Sequence, residues 1–476
     1  MKLTAEQQAI IDCPPQGTIR ILSFAGAAKT TTLENYARRW AMPSLYLTFN
    51  TEMAKEARPR FPATCETRTP HSYAHRALDI RKRGAGGRLI PKLRPEHLAP
   101  YEMHLDGVPG MTDHQVKTAV IRTIERFSMS AGPEFLPEHC AARTQRQRLA
   151  IRRMAAAVAG DLFRIFDHDG PITHDVYLKL FELTGRIAGP RYLLLDEGQD
   201  WSPVLISIVA KSGLPAIIAG DPWQSIYRFR GAVDAMETFD GPILTLSQSW
   251  RFGEAIARIG NKILGYTSKP PKLPIRGNPA LDTSVHRYAG RVKTGSGTAV
   301  LARTNARLFD SLANLSIPFH YVGRLNELTR QLLSAYALRK GMLSEVYDES
   351  VQRFASWGAL DHAAETGDNE AKRLRDIVLK YGDQLPPLLE RLEGFHRADE
   401  NKAELVVGTA HSAKGREWPI VYVLDDFPIP AELQAERIKN PHKAVELDQE
   451  LHLTYVCISR AKEQLHLAPE LYEALA

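Results

Sequence analysis

Residues 23–30 have the composition of a phosphate-binding turn. A run of small residues, Ala25 to Ala28, is followed directly by Lys29 and Thr30. Small side chains let backbone N–H groups wrap phosphates, a lysine reaches the β- and γ-phosphates, and a threonine hydroxyl is a Mg²⁺ ligand. A mainly apolar run precedes this turn and a helical pattern begins at Thr31, so the helix N-terminus adds partial positive charge. The stretch therefore predicts a strand–loop–helix unit that binds a nucleoside triphosphate.

The residue before Lys29 departs from this pattern, because a glycine usually occupies the position that is Ala28 here. Glycine is favoured there because the backbone passes very near the β-phosphate. We expect the methyl group to crowd the phosphate or push the loop outward, which would weaken ATP binding. The other polar residues of the predicted site are present, so tolerance through a shifted loop is the alternative.

Two further polar segments follow buried strands. Asp196 and Glu197 come directly after the apolar run 192–195, and Gln224 comes after the apolar run 216–219. Asp196 can hold Mg²⁺ directly or through water, and Glu197 can orient or deprotonate the attacking water. The amide of Gln224 can bond the γ-phosphate or that water. Carboxylates at a strand end also occur in solvated loops, but the upstream phosphate loop favours the catalytic interpretation.

Cationic side chains complete the phosphate chemistry. Arg251 and Arg460 are candidates for stabilising charge on the transferred phosphate. Each would by itself be typical of a surface salt bridge. The formal net charge of +6 favours a polyanionic partner, and basic residues cluster at 81–83 and 143–153. Each basic cluster alone is also typical of a solvated helix face.

The elements that position these residues alternate between strands and helices. At 476 residues the chain is long enough for several domains, and its hydrophobic content of 44% is that of a globular protein. Strand–helix alternation predicts parallel α/β sheets, interrupted by mainly helical segments at about 80–175 and 327–400. We expect no membrane span and no signal peptide, and four scattered cysteines fit a reducing cytosol.

Taken in order, these segments resemble the motifs of superfamily 1A DNA helicases of the UvrD/Rep/PcrA type. The pattern is closest to the helicase part of F-box DNA helicases, without an F-box. The residues that carry the resemblance are Gln7, 25–30 (motif I), 48–50 (Ia), 69–72 (Ib), 196–200 (II), 220–232 (III), 249–251 (IV), 409–418 (V) and 450–461 (VI). Motifs III and V are long, so their chance occurrence in this order is negligible.

The resemblance implies an α/β fold with two RecA-like P-loop NTPase domains, each carrying a mainly helical insertion. The implied regions are domain 1A at 1–79 and 176–252, insertion 1B at 80–175, domain 2A at 253–326 and 401–476, and a short insertion 2B at 327–400. The two RecA-like domains would close on ATP and Mg²⁺.

The resemblance also implies residue roles. The implied catalytic residues are Lys29, Asp196, Glu197, Gln224, Arg251 and Arg460. The implied nucleotide contacts are Gln7, Gly26, Ala27, Ala28, Lys29, Thr30, Thr31, Trp250 and Glu417, with Thr30 and Asp196 as metal ligands. The implied DNA contacts are Phe49, His71, Tyr227, Phe229, Arg230 and His411. Thr31 replaces an arginine found in many bacterial relatives, so adenine would stack on one side only, against Trp250.

The predicted function is an ATP-dependent 3′→5′ translocase or helicase acting on single-stranded DNA or DNA with a single-stranded tail. A protein activator is left open, and the expected location is cytoplasmic, nucleoid-associated, or nuclear in a eukaryote. Because of Ala28, a different class of protein is the alternative, namely a DNA-binding scaffold or switch with impaired ATP binding. A small-molecule kinase or GTPase shares only the phosphate loop, and motifs II, III and V argue against it.

Overall fold

The computed structural model describes residues 3–48, 50–82, 84–140, 142, 144–167, 169–227, 231, 233–288, 290–313, 315–365 and 368–476. The chain forms two units, one of Met1–Phe24 and Ala28–Leu246, the other of Ala25–Ala27 and Ser247–Ala476. Each unit contains one six-stranded sheet in which all neighbours run parallel. The predicted fold class, α/β with two parallel-sheet domains, is confirmed. The finer boundaries of the four regions stay a prediction.

The sheet of the first unit has its nucleotide-site strands at the centre. Its strands are β1 (Thr18–Ser23), β2 (Ser44–Leu47), β3 (Cys65–Arg68), β4 (Tyr192–Leu195), β5 (Ala216–Gly220) and β6 (Ile243–Leu246). Their order is β3-β2-β4-β5-β1-β6. Strands β4 and β5 are buried along their whole length, as expected of continuous apolar runs in a parallel sheet covered on both faces. Because β5 lies between β1 and β4, the polar residues after these three strands meet at one edge.

Several helices of the first unit start at, or lie next to, the predicted site residues. They are α1 (Ala5–Asp12), α2 (Lys29–Arg39), α3 (Thr51–Ala57), α4 (Pro70–Ala77), α5 (Asp113–Met129), α6 (Gln145–Leu162), α7 (His174–Thr184), α8 (Pro203–Ser212) and α9 (Ala235–Thr238). Helices α5 and α6 begin with capping boxes at Thr112 and Thr144. They pack through a separate apolar core that includes Val120, Ile124 and Ile151.

The second unit repeats the parallel α/β design. Its strands are β7 (Ser284–Arg287), β8 (Thr298–Ala302), β9 (Phe319–Tyr321), β10 (Leu405–Thr409), β11 (Trp418–Val423) and β12 (Ala461–Leu467), in the order β7-β12-β11-β8-β10-β9. Its helices are α10 (Glu254–Gly265), α11 (Asn305–Leu312), α12 (Leu325–Lys340), α13 (Glu349–Gln352), α14 (Trp357–Glu365), α15 (Asn369–Tyr381), α16 (Leu385–Phe395), α17 (Pro430–Lys439), α18 (Ala444–Ile458) and α19 (Pro469–Leu475). Helices α12 to α16 follow one another between β9 and β10.

Two local features differ from the sequence pattern. Strand β6 ends at Leu246, before motif IV, and the backbone beyond it pairs outside the sheet, where Ser249 N–H donates to Arg276 O at 2.8 Å. Helix α2 begins at Lys29 rather than at Thr31. Strand β7 was missed because it is a short edge strand whose polar residues give no apolar run. In the described ranges, no helix is both long and apolar enough to cross a membrane.

Candidate nucleotide and nucleic-acid sites

The carboxyl edge of the first sheet brings together the predicted phosphate and metal residues of that unit. Lys29 and Thr30 open helix α2 after β1, and Asp196 and Glu197 follow β4. Lys29 Nζ lies 3.5 Å from Glu197 Oε1, and the Thr30 hydroxyl donates to Asp196 Oδ2 at 2.8 Å. A cation, a hydroxyl and two carboxylates therefore converge at the start of one helix.

Asp196 is held as a buried carboxylate by several donors. Its side chain is fully buried, the Tyr46 hydroxyl donates to Oδ2 at 2.8 Å, and Glu197 N–H donates to Oδ1 at 2.9 Å. Burial raises the pKa of Asp196 and the charge of Glu197 raises it further, while Lys29 and the two hydroxyls lower it. An added cation would stabilise the ionised form, so the site is suited to a divalent metal.

A hydrogen-bonded network connects Gln224 with Glu197. Gln224 Nε2 donates to Asp221 Oδ2 at 2.6 Å, and Asp221 N–H donates to Gln199 Oε1 at 3.0 Å. Gln199 Nε2 donates in turn to Glu197 Oε2 at 2.6 Å. Burial raises the pKa of Asp221 to about 6, although Lys29 and Gln224 lower it. The sequence interpretation gave no role to Gln199 or Asp221, whose only signal is their place in polar segments after β4 and β5.

Ala28 has a left-handed backbone, with φ 57° and ψ 41°, at the N-cap of α2. Glycine reaches this region without the steric cost that a Cβ carries. The backbone conformation is therefore a second physical reason, besides closeness to a phosphate, for glycine at this position. Glu197, with φ 55°, is another non-glycine residue in that region. Backbone strain of this kind is typical of functional sites.

The donor set of this edge fits a triphosphate with Mg²⁺. Helix α2 begins without a side-chain cap from Ala28, so its first-turn N–H groups suit an anion. Thr30 and Asp196 supply hard oxygen ligands and Lys29 supplies an ammonium group.

Gln7 and Thr31 are tied into the surrounding helices. The Gln7 amide accepts from Thr4 N–H at 3.0 Å and donates to Thr32 Oγ1 at 3.1 Å, and Thr32 Oγ1 donates to Ala28 O at 3.0 Å. Gln7 thus connects α1 to the phosphate loop through Thr32. The Thr31 hydroxyl accepts from Arg60 at 3.0 Å.

The predicted residues of the second unit also form a polar group. Arg251 Nε donates to Glu417 Oε2 at 2.6 Å, Arg251 Nη1 donates to Ser459 O at 3.0 Å, and Lys462 Nζ lies 3.5 Å from Glu417 Oε1. Burial raises the pKa of Glu417, but Arg251 and Lys462 outweigh it and hold the pKa below its usual value. Arg460 is 1% exposed, and its guanidinium donates to Val456 O at 2.8 Å.

Gly26 and Ala27 belong to the second unit by their contacts. Gly26 has φ +72°, and a Cβ there would lie 2.7 Å from Arg251 Cβ. Gly26 O accepts from the backbone N–H of Trp250 at 2.8 Å, and Ala27 is buried. Position 26 therefore requires glycine, for both its backbone and its lack of a side chain.

His71 and Tyr227 meet at one cavity of about 250 Å³ in the first unit. His71 Nε2 lies 3.4 Å from Asp175 Oδ1. The cavity is also lined by Thr48, Pro70, Met129, Asp175, Leu178, Asp200, Trp201, Ser202, Val204 and Leu205. His411 is half-buried in the turn after β10 of the second unit. Phe49, Phe229 and Arg230, with Arg83 and Arg143 of the basic clusters, lie outside the described residues.

Comparisons with known proteins find similarity to helicases. The model for the UvrD/REP helicase N-terminal domain matches residues 188–240, and the model for the UvrD-like helicase C-terminal domain matches 348–470. F-box DNA helicase 1 of Gallus gallus is 30% identical, over 100% of this chain and 50% of its own length. F-box DNA helicase protein 1 of Schizosaccharomyces pombe is 26% identical, over 98% of this chain and 57% of its own length. The chain thus spans about half the length of these curated relatives.

Shorter and more distant similarities were also found. ATP-dependent DNA helicase PcrA of Staphylococcus epidermidis is 26% identical over 39% of this chain and 28% of its own length. Among solved structures, the complex of Arterivirus nonstructural protein 10 (helicase) with DNA aligns with a TM-score of 0.34 and 10% identity. That alignment covers 99% of this chain and 65% of the viral chain.

Proposed function

We propose that this chain, parts of which match the UvrD-like helicase domain models, is an ATP-driven, Mg²⁺-dependent translocase or helicase on single-stranded DNA. The observation that carries the proposal is the convergence of Lys29, Thr30, Asp196 and Glu197 at one sheet edge. Motors need this arrangement because phosphoryl transfer depends on positioning and charge stabilisation rather than on covalent chemistry by the protein.

Each residue of that edge has a proposed task. Lys29 orients the β- and γ-phosphates, while Thr30 and Asp196 hold Mg²⁺, which neutralises phosphate charge. Glu197 accepts a proton from the water whose oxygen bonds the γ-phosphorus as the bond to the bridging oxygen breaks. Gln224 bonds the γ-phosphate. Hydrogen bonds through Asp221 and Gln199 connect Gln224 to Glu197, so this network supports a link between γ-phosphate binding and the position of Glu197.

The second unit supplies most of the remaining proposed nucleotide residues. Arg251 and Arg460 stabilise charge on the transferred phosphate, Glu417 contacts ribose and Trp250 stacks on adenine. The loop residues Gly26 and Ala27, also of the second unit, line the phosphates, whereas Gln7, which reads adenine, belongs to the first unit. These roles follow from the family resemblance, and the ion pair between Arg251 and Glu417 supports a shared function for those two side chains.

DNA binding is proposed for the cavity beside His71 and Tyr227, together with Phe49, Phe229, Arg230 and His411. An aromatic wall suits a translocase, since every base has a π-face and stacking tolerates any sequence. The proposed polarity, 3′→5′, follows from the family, and so does a location with DNA in the cytoplasm or nucleus. A protein activator is a further proposed partner.

The polarity is tested with two duplexes that share one sequence and differ only in carrying a 3′ or a 5′ single-stranded tail. With ATP and Mg²⁺, the chain is expected to unwind the 3′-tailed duplex and to leave the 5′-tailed one intact. Equal unwinding of both, or unwinding of the 5′-tailed duplex alone, contradicts the polarity. If strand separation is too slow to detect, displacement of streptavidin from either end of a biotinylated single strand measures translocation and its direction separately.

A second function is favoured by one observation, the left-handed backbone at Ala28. A residue with a Cβ strains the loop in this conformation by about 1–2 kcal/mol. A nucleotide that requires this loop conformation must bind against that strain. The alternative is therefore a DNA-binding scaffold or switch with impaired ATP binding. Comparing the ATP affinity of the chain with that of Ala28→Gly separates the two functions.

A further inference from the structure

Helix α6 concentrates positive charge that the proposed nucleotide and DNA residues do not include. The helix has one acidic residue, Asp161, and four arginines, which are Arg146, Arg148, Arg152 and Arg153. In the part of the chain that the structure describes, none of the four forms an ion pair, and Asp161 pairs instead with Arg164 at 2.9 Å. Like charges four residues apart on a helix repel each other. This charge therefore opposes helix formation unless an anion neutralises it.

Two of these arginines are held on one face of α6, close to the segment that joins it to α5. Arg148 and Arg152 stand four residues apart, so their side chains are neighbours on that face. Arg148 Nε donates to Ala142 O at 3.0 Å, which holds the side chain against the joining segment. The two helices pack through the apolar core that includes Ile124 and Ile151. Side chains of both helices can therefore meet at this segment.

The buried thiol of Cys140, in the joining segment, is close to three arginines from the two helices. Burial raises the pKa of Cys140, whereas the positive charges of Arg152, Arg126 and Arg148 lower it, and the carboxylate of Glu138 acts in the opposite direction. Arg126 belongs to α5. Arg126 and Arg148 are exposed and Arg152 is half-buried, so all three can reach a ligand. These three residues are called the arginine surface below.

The arginine surface adjoins the DNA cavity beside His71. Met129, which lines that cavity, follows Arg126 by three residues on α5, so the two side chains are neighbours on one helix face. The cavity itself is lined by Asp175 and Asp200, and by neither lysine nor arginine among the described residues. A strand whose bases lie there must therefore have its phosphates neutralised elsewhere. Arginine suits that task because its guanidinium group can donate two parallel hydrogen bonds to a phosphate.

We propose that Arg126, Arg148 and Arg152 bind the phosphate backbone of single-stranded DNA where the strand leaves the cavity. This inference rests on the proposed function, because it extends the DNA-binding site proposed there. The occupant is a single strand because the adjoining cavity takes unpaired bases in that function. Phosphate contacts carry no sequence information, so the arginine surface adds affinity and length of contact without preferring any base.

The test measures the affinity of the full chain for oligo(dT) of about 16 nucleotides, by fluorescence anisotropy at several salt concentrations. Each phosphate contact contributes about 0.7 to the slope of log K against log salt concentration for a single strand. The triple variant Arg126→Gln, Arg148→Gln, Arg152→Gln should bind at least about 10-fold more weakly at moderate salt, with a slope shallower by about 2. The corresponding triple lysine variant keeps the charges and should retain most of the affinity and of the slope.

A matched control removes three exposed arginines from outside the arginine surface, as Arg186→Gln, Arg258→Gln, Arg291→Gln, and should bind like the parent. Thermal unfolding checks that each variant is folded, and glutamine is also a good helix former. Equal losses of affinity in the two glutamine variants, or an unchanged salt slope, overturn this inference while leaving DNA binding intact. A loss confined to duplex DNA overturns the assignment to a single strand. Failure of the parent to bind DNA overturns the proposed function itself.

Discussion

Ala28 and Glu197 share a left-handed backbone although neither is glycine, and both stand at the predicted phosphate site. The steric cost of such a residue is about 1–2 kcal/mol, which surrounding contacts must offset. At Ala28 the offset includes two hydrogen bonds to its carbonyl, from Thr32 N–H and the Thr32 hydroxyl, each at 3.0 Å. The loop conformation is therefore imposed by helix α2 and kept despite the methyl group.

Ala28→Gly should increase ATP affinity severalfold, because it removes both the strained Cβ and the methyl group next to the phosphates. Thermal stability should rise only slightly, since about 0.4–1 kcal/mol of added freedom in the unfolded chain offsets part of the relieved strain. Isothermal titration calorimetry with ATP and Mg²⁺ measures the affinity, and calorimetric unfolding measures the stability. Equal ATP affinities would mean that the alanine neither strains nor crowds the site.

At the scale of elements, strand–loop–helix units could be predicted where a continuous apolar run ends in polar residues. The units around Lys29 and Asp196 are of this kind, and β4 matches its predicted span, 192–195. Strand β7 could not be predicted because an edge strand lacks such a run. The hydrogen bond from the Tyr46 hydroxyl to Asp196 could not be predicted either, because the sequence of an apolar strand does not indicate which residue its tyrosine contacts. Which side chains meet depends on strand order, which the sequence pattern does not state.

The helices of the first unit are joined by a buried charge cluster around Glu182 of α7. Its carboxylate is fully buried, lies 3.0 Å from Lys179 Nζ, and accepts from the Ser207 hydroxyl of α8 at 2.6 Å. Lys179 also donates to Ser130 O, just after α5, at 2.9 Å. Lys211 of α8 also pairs with Glu182, so three helices meet at one buried charge cluster.

Glu182→Ala should destabilise the protein by about 3–5 kcal/mol, because it leaves the Lys179 ammonium buried without a counter-charge. Glu182→Gln, which keeps the shape, should cost less. The exposed control Glu102→Ala should stay within about 0.5 kcal/mol of the parent. Urea unfolding followed by circular dichroism gives these differences, and a Glu182→Ala variant as stable as the control would show the cluster to be dispensable.

The same cluster should respond to acid. Burial raises the pKa of Glu182, but bonds from Lys211, Ser207 and Lys179 outweigh this and lower the pKa from 4.5 to about 2. A depressed folded-state pKa stabilises the protein above the unfolded value, and that stabilisation is lost as pH falls between those two values. The parent should therefore lose stability more steeply in this range than Glu182→Gln does.

At the scale of the whole molecule, two parallel-sheet units each have their own apolar core. The residues proposed for phosphate chemistry in the first unit are positioned by that unit's own strands and helices. Arg251, Glu417 and Arg460 are likewise held by contacts within the second. Each unit is thus preorganised, as expected of a protein whose chemistry relies on fixed charges.

The central claim is that DNA binding and ATP hydrolysis are coupled in this chain, and the rate of ATP hydrolysis with and without single-stranded DNA tests it most directly. At saturating ATP and Mg²⁺, we expect single-stranded DNA to raise the rate at least about 10-fold. Glu197→Gln should lower the stimulated rate by about 10²- to 10⁴-fold while ATP still binds. A rate that DNA leaves unchanged at saturating ATP would contradict the motor and favour the DNA-binding scaffold.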